Sequence, residues 1–271
     1  MKNSTKNIKN LNNNEEIANA FDHLTPPNYP IAYKAGKWFF CGLPFFVTED
    51  VLVPRVDTEI LIRAVQEYIE SQTQSQKFPS KIEGWMPRAD GVFEILDLCT
   101  GSGCIAVALT SKGFTNVTAV DICEKALAVA SKNAETNNVN VNFIQSDLFK
   151  NIKTRFDIIV TNPPYIKTNE IGIHDKSILC EPRKALDGGA DGLDIYRRII
   201  NEAPNYLNAH GQIFLEIGDV RQAEQVKTLL QNGGFHDIQI IKDRVVIARN
   251  VSDEAIPIRT HKAGTEQCTK N

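Results

Sequence analysis

The apolar run Phe93-Glu94-Ile95-Leu96-Asp97-Leu98 passes directly into Cys99-Thr100-Gly101-Ser102-Gly103 and then into Cys104-Ile105-Ala106-Val107-Ala108-Leu109. The three pieces read as strand, glycine-rich turn and helix. Gly101 and Gly103 let the backbone approach a ligand closely. The same rhythm continues downstream. Residues 117–120 read as a second strand ending at Asp121, residues 141–145 as a third, and residues 156–161 as a fourth. A fifth covers 212–217, with helices expected to begin near Glu124, Leu193 and Val220. Such alternation builds a parallel α/β sheet, and open sheets of this kind bind ligands beyond the carboxyl ends of their strands. The final pair, 235–241 and 244–248, is expected to run antiparallel at one edge.

The fourth strand ends in Asn162-Pro163-Pro164-Tyr165. A residue before proline is biased to extended backbone, which suits a rigid turn at a strand end. Neither proline has an N–H to donate. The turn therefore presents acceptors, the Asn162 side-chain oxygen and the Pro163 carbonyl. That polarity suits a planar amide or aromatic amine. The nitrogen lone pair of such a group is delocalised. An enzyme that methylates it must draw its N–H bonds aside and leave the lone pair facing an electrophile. The Tyr165 ring can stack on the planar group. The plainer reading of these four residues is an ordinary Asn-Pro turn.

The other strand ends offer a nucleotide site. Asp121 can accept both hydroxyls of a ribose. Asp147, in Ser146-Asp147-Leu148-Phe149, can accept from an adenine amino group, with Leu148 or Phe149 against the ring. Residues 101–106 also satisfy the loose glycine fingerprint of dinucleotide-binding folds. Two features favour S-adenosylmethionine instead. Asp97, four residues before Gly101, places a carboxylate where a cationic ligand is better served than a pyrophosphate. The amine-gripping turn, moreover, has no obvious use in a dehydrogenase.

On these motifs the sequence resembles the bacterial protein-(glutamine) methyltransferases of the HemK/PrmC family, which modify peptide-chain release factors. The matching residues include Pro30-Ile31-Ala32-Tyr33, Gly36, residues 39–45, and Val51-Leu52-Val53-Pro54-Arg55-Val56-Asp57-Thr58-Glu59. They continue through the glycine turn, Asp147-Leu148-Phe149 and the Asn-Pro-Pro-Tyr turn. Beyond these lie the block from Glu181-Pro182-Arg183 through Gly188-Gly189 to Asp191-Gly192-Leu193, then Tyr196-Arg197 and Asp243-Arg244-Val245-Val246. The Glu181 block is far more specific than the Asn-Pro-Pro-Tyr turn, which nucleic-acid methyltransferases share.

The resemblance implies a class I S-adenosylmethionine-dependent methyltransferase, Rossmann-like, with a seven-stranded sheet of order 3-2-1-4-5-7-6. It implies that the target is the glutamine side chain of the Gly-Gly-Gln motif in release factors. Cofactor-binding residues would be Asp97, Thr100, Gly101, Gly103, Asp121, Asp147, Leu148 and Asn162. Asn162, Pro163 and Tyr165 would carry catalysis. Those three, with Pro164, Arg55 and Thr58, would line the substrate pocket. Cys99 stands where glycine is common, and a negative φ there would accommodate the thiol. Val56 replaces a usual proline.

The resemblance also divides the chain. Residues 1–29 would be a short polar stand-in for a longer helical substrate domain, with only 15–24 able to form a helix. Residues 30–56 would be a β-hairpin linker, with 37–53 alternating and Gly42 near the turn. Residues 57–249 would be the methyltransferase domain, with a first helix over 58–70 and a loop insertion at 71–91. Residues 250–271 would be a polar tail.

Composition narrows the partners. The 271 residues carry a formal charge of −3, and no basic stripe of the kind that supplies nucleic-acid affinity is visible. Nucleic acid is therefore not expected as the direct substrate. No two of the six cysteines form a C-x-x-C pair, and the five histidines, His174 among them, are scattered, so no metal is expected. No apolar run is long enough to span a membrane, and residues 1–14 lack a signal peptide's apolar region. A cytoplasmic location is expected. Two rival readings stand beside the main one. One is an RNA or DNA amino-methyltransferase using the same turn on a flipped base. The other is an inactive binding module of the same fold.

Overall fold

The computed structural model describes residues 11–22, 25–75, 92–173 and 175–250. Its centre is a seven-stranded sheet in the order β5-β4-β3-β6-β7-β9-β8. The strands are β3 (Ile95–Leu98), β4 (Val117–Asp121), β5 (Asn142–Gln145), β6 (Phe156–Thr161), β7 (Leu207–Glu216), β8 (Phe235–Ile241) and β9 (Val245–Asn250). The first five are parallel neighbours, and β9 lies antiparallel to both β7 and β8. This is the order that the family resemblance implies. The chain leaves β3 toward β4 and β5, then returns to place β6 on the other side of β3. The point of reversal, between β3 and β6, is where a ligand crevice opens.

Alternation along the strands feeds two cores. Ile95, Ile158, Val160 and Phe214 face one side. Leu96, Leu98, Ile159 and Leu215 face the other. Every residue of β3 is buried, as a strand covered on both faces requires. The first face is covered by α3 (Thr58–Ser75), α4 (Cys104–Ser111) and α5 (Glu124–Thr136), the second by α7 (Asp194–Glu202) and α8 (Val220–Asn232). A four-residue turn of helix, α6 (Arg183–Leu186), precedes α7.

The hairpin is shorter than its alternating pattern. β1 (Lys37–Phe40) pairs with β2 (Leu43–Phe46), and pairing stops there. Cys41 and Gly42 both take positive φ, 50° and 75°, as a two-residue hairpin turn demands. Residues 47–53 leave the ladder because Val47, Val51 and Val53 turn into the core. Asn133 of α5, fully buried, holds the hairpin to the glycine turn. Its side chain accepts from Phe46 N at 2.6 Å and donates to Phe46 O at 3.0 Å and to Ser102 O at 2.9 Å.

The segment before the hairpin is better built than its polarity suggests. Helix α1 spans Asn14–Phe21, with the Asn13 side chain accepting from Glu16 N. Ile17 is fully buried, and the Asn14 side chain exchanges two hydrogen bonds with the Phe39 backbone. A second short helix, α2 (Ile31–Ala35), was not expected. Its end signal is Gly36, left-handed at φ 62° just after the last helical residue, and Pro30 caps its start. Helix α3 runs to Ser75, so residues 71–75 are helical rather than loop. The rest of the expected insertion, residues 76–91, lies outside the described residues, as do 1–10, 23–24, His174 and 251–271.

Candidate active site

The turn after β3 is built around a buried carboxylate. Asp97 Oδ2 accepts from Thr100 Oγ at 2.6 Å and from Ala106 N at 3.2 Å. It thereby ties the turn to the first turn of α4. Asp97 Oδ1 is buried without a partner. Burial pushes the Asp97 carboxyl up to about 7, against the pull of its two hydrogen bonds, and the charge of Asp121 adds to the rise. Asp97 is fully buried and does not line the cavity. Expected against a ligand, it lies beneath the turn and supports it.

Gly103 does not line the cavity either. A Cβ there would stand 2.9 Å from Ala130 Cβ, so this glycine permits α4 to pack on α5. Gly101 stands in the open. At φ 54° an added Cβ would meet nothing within 4 Å, and the residue lines the cavity. Cys99 takes φ 59°, not a negative value. A non-glycine residue in that region carries a strain of about 1–2 kcal/mol, which the packed β3–α4 turn must offset.

Beyond the strand ends lies a cavity of about 880 Å³. Thr100, Gly101, Asp121, Asp147, Leu148 and Asn162 line it, as do Arg55, Thr58 and Pro164. Parallel register brings them together. Leu98 pairs with both Val120 and Thr161, and Asp121 with Gln145, so the residues that follow emerge along one edge.

Asp121 accepts from Gly101 N at 2.9 Å through one oxygen and from Cys123 N at 2.8 Å through the other. Each oxygen keeps a further lone pair for a ligand. Burial raises its pKa, and the backbone donors oppose the rise. Asp147 is shared. Arg198 Nη2 reaches its Oδ1 at 2.8 Å. Leu148, at φ 49°, is buried beneath it.

The Asn-Pro-Pro-Tyr turn divides its duties. Asn162 and Pro164 line the cavity, whereas Pro163 and Tyr165 do not. Pro163 is buried. The Tyr165 ring lies against Gly218, where an added Cβ would meet it at 3.1 Å. The Tyr165 carbonyl accepts from Gln222 Nε2 at 3.0 Å. Tyr165, expected to stack on a substrate group, thus lies where it anchors the turn to the β7–α8 connection. The exit of the turn is also held. Ile166 N donates to Leu186 O at 2.9 Å, and Gly188 N to Ile166 O at 2.8 Å.

Two residues of the site had no role assigned in the sequence. Glu181, almost completely buried, joins Arg55 at 2.6 Å and accepts from Val53 N at 3.4 Å. It pins the 53–55 segment to the 181–189 segment over the cavity. Glu216 is buried at the end of β7. Burial pushes its carboxyl up to about 7. A hydrogen bond with Thr58 lowers it, the Asp57 charge raises it, and Arg244 and Arg55 lower it. Asn162 Nδ2 donates to Thr58 Oγ at 3.3 Å. Among the described residues no His/Cys/Asp/Glu cluster could hold a metal ion.

This lining fits a nucleoside: the Gly101 backbone faces open space, and the carboxylates of Asp121 and Asp147 can accept from its hydroxyl and amino groups.

Comparison with known proteins agrees. The methyltransferase small domain model matches residues 86–189. The release factor glutamine methyltransferase of Geobacter sulfurreducens is 39% identical over 217 residues, covering 79% of this chain and 69% of the relative. That of Thermodesulfovibrio yellowstonii is 40% identical over 224 residues, covering 81% and 74%. Among solved structures, a methyltransferase from Pyrococcus furiosus superposes with a TM-score of 0.52 at 21% identity, over 78% of this chain and 91% of that one. A 16S rRNA methyltransferase of T. thermophilus, solved with AdoMet and guanosine, reaches 0.52 at 20% identity, over 79% and 49%. At these identities the two structures speak for the fold alone.

Proposed function

The chain belongs to the release factor glutamine methyltransferase family, and on that premise we infer the reaction its site performs. It transfers a methyl group from S-adenosylmethionine to the side-chain amide nitrogen of a glutamine, that of the Gly-Gly-Gln motif in peptide-chain release factors. When bound, S-adenosylmethionine supplies a methyl group on a positively charged sulfur, electrophilic enough to need no metal. The protein's part is to bind, orient and exclude water.

The observation that carries the assignment of roles is the orientation of Asn162. Its Nδ2 is taken by Thr58, which leaves Oδ1 as the acceptor toward the cavity. There it can accept an N–H of the target amide and turn the nitrogen lone pair toward the methyl group. Arg55, locked to Glu181, closes the cavity on the substrate side. Asp121 holds the ribose, and Gly101 admits the cofactor's backbone-side edge. Asp97 and Thr100 keep the turn in shape. Once the methyl group has transferred, the extra amide proton leaves to water.

Asp121→Ala tests the cofactor half of this reading. It is expected to weaken S-adenosylmethionine binding by about 1–3 kcal/mol, the scale for losing hydrogen bonds to a charged acceptor. Calorimetry on both forms measures it, and an unchanged affinity would remove Asp121 from the ribose site.

Transfer of labelled methyl from the cofactor to purified release factor, beside total RNA and DNA, tests the substrate half. Label in the protein fraction is the expected result, and label in RNA alone transfers the argument to the amino-methyltransferase reading. The net charge of −3 favours protein. No described helix is long and apolar enough to cross a membrane, and a cytoplasmic place beside the ribosome suits the substrate.

A further inference from the structure

We propose that Glu216, acting through Thr58, sets the polarity of the amide grip at Asn162 and is a positioning residue for methyl transfer. The proposal rests on the role given to Asn162 above. Thr161 of β6 pairs with Leu215 of β7, so Asn162 and Glu216 come next in register on adjacent parallel strands. Thr58, the first residue of α3 and 1% exposed, accepts from Asn162 Nδ2 at 3.3 Å and lies close enough to Glu216 to lower the pKa of its carboxyl.

Glu216 is an anomaly as a structural residue. It ends a run of buried apolar positions, is itself 1% exposed, and leaves Oε2 without a hydrogen-bond partner. The nearby cations are engaged elsewhere. Arg55 pairs with Glu181, and Arg244 pairs with Asp57 while also donating to the Gly218 carbonyl. A buried carboxylate in this position costs stability that a leucine would not. Residues that break the rules of a core without local compensation mark functional constraint.

The constraint follows from proton counting. A threonine hydroxyl has one proton to give and lone pairs to accept with. If that proton goes to Glu216, Thr58 Oγ can only accept from Asn162. The Asn162 amide must then turn Nδ2 toward Thr58 and Oδ1 toward the cavity. Without the carboxylate, Thr58 is free to donate to Asn162 Oδ1. The amide can then turn over and present N–H to the cavity, and two N–H groups cannot bond each other. Glu216 thus selects the one amide orientation that can grip a target N–H.

The test compares Glu216→Leu, Glu216→Gln, Thr58→Val and Thr58→Ser in steady-state methylation of release factor, with calorimetry of S-adenosylmethionine binding. Glu216→Leu is expected to lower kcat roughly 10- to 100-fold, because misorienting one group in the site is enough for that. Cofactor affinity should stay within about threefold, and Tm should not fall. Glu216→Gln, which keeps an acceptor oxygen, should lose less. Thr58→Val should match Glu216→Leu, and Thr58→Ser should recover most of what Thr58→Val loses. If Glu216→Leu does not fold, the two Thr58 variants carry the comparison. A merely structural Glu216 would move Tm and leave kcat alone, which overturns the proposal.

A second readout needs no substrate. The side-chain amide protons of Asn162, assigned by nuclear magnetic resonance, should exchange faster with solvent in Glu216→Leu or Thr58→Val. If the wild-type enzyme methylates no release factor, the functional reading fails on its own. The exchange rates still decide the relay, and unchanged rates overturn it.

Discussion

Asn162→Ala is expected to lower kcat for release-factor methylation by roughly 100-fold or more, the scale for removing one preorganised polar group from an active site. The reason lies in when the contact matters. An amide in water keeps its N–H bonds solvated and its lone pair delocalised, so its nitrogen is aimed at nothing. The acceptor at Asn162 is worth most when that nitrogen faces the methyl group, and such interactions act on kcat rather than on ground-state binding. The ribose contacts proposed for Asp121, on β4, are separate from it. S-adenosylmethionine affinity should therefore remain within about threefold of wild type. Single-turnover rates with calorimetry of cofactor binding separate the two. Near-normal turnover would mean that this turn does not hold the target amide.

Gly188→Ala should be nearly as damaging for a different reason. A Cβ at residue 188 would stand 2.8 Å from Tyr165 Cα and 2.9 Å from both Pro164 O and Gly192 O. All three are backbone atoms, so no side chain can swing aside. The strain is shared with the hydrogen bond from Gly188 N to Ile166 O, 2.8 Å long. Either that contact breaks or the Asn-Pro-Pro-Tyr turn moves. A loss of about 1–3 kcal/mol in stability is expected from such overpacking. A fall in kcat on the order of 100-fold should accompany it, since displacements below 1 Å or so in a site are enough. Denaturant melts and steady-state rates on one preparation measure both. A variant as stable and as active as wild type would show that the 186–189 segment does not hold the turn.

The sheet was largely legible in the sequence because each central strand stops at an abrupt change of residue type. Leu98 gives way to the glycine turn, Val120 to Asp121, and Thr161 to Asn-Pro-Pro. The strand ends in turn located Gly101, Asp121, Asp147 and Asn162 along one edge. What stayed hidden depends on pairs far apart in the chain. Arg55 and Glu181 are separated by 126 positions, and neither carries a local sign of the other. Tyr165 has the chemistry to stack on a substrate, but its ring is drawn to Gly218, where the lack of a side chain leaves room. Gly103 reads as a ligand-approach glycine, yet the tight neighbour is Ala130. Helix α2 is too short for periodicity to register. Glu216 did leave a trace, a carboxylate closing the apolar run Ile213-Phe214-Leu215. A buried charge in a central strand is rare enough to prompt a search for its partner, although only the fold could name Thr58.

On this mechanism the methyl group goes to a glutamine amide nitrogen gripped at Asn162. Tandem mass spectrometry of release factor incubated with the wild-type enzyme and S-adenosylmethionine tests this most directly, with the Asn162→Ala variant as control. A single methyl group is expected on the side-chain nitrogen of the Gly-Gly-Gln glutamine, formed by wild type and nearly absent with the variant. Methyl on another residue, or an unmodified release factor beside methylated RNA, would contradict it.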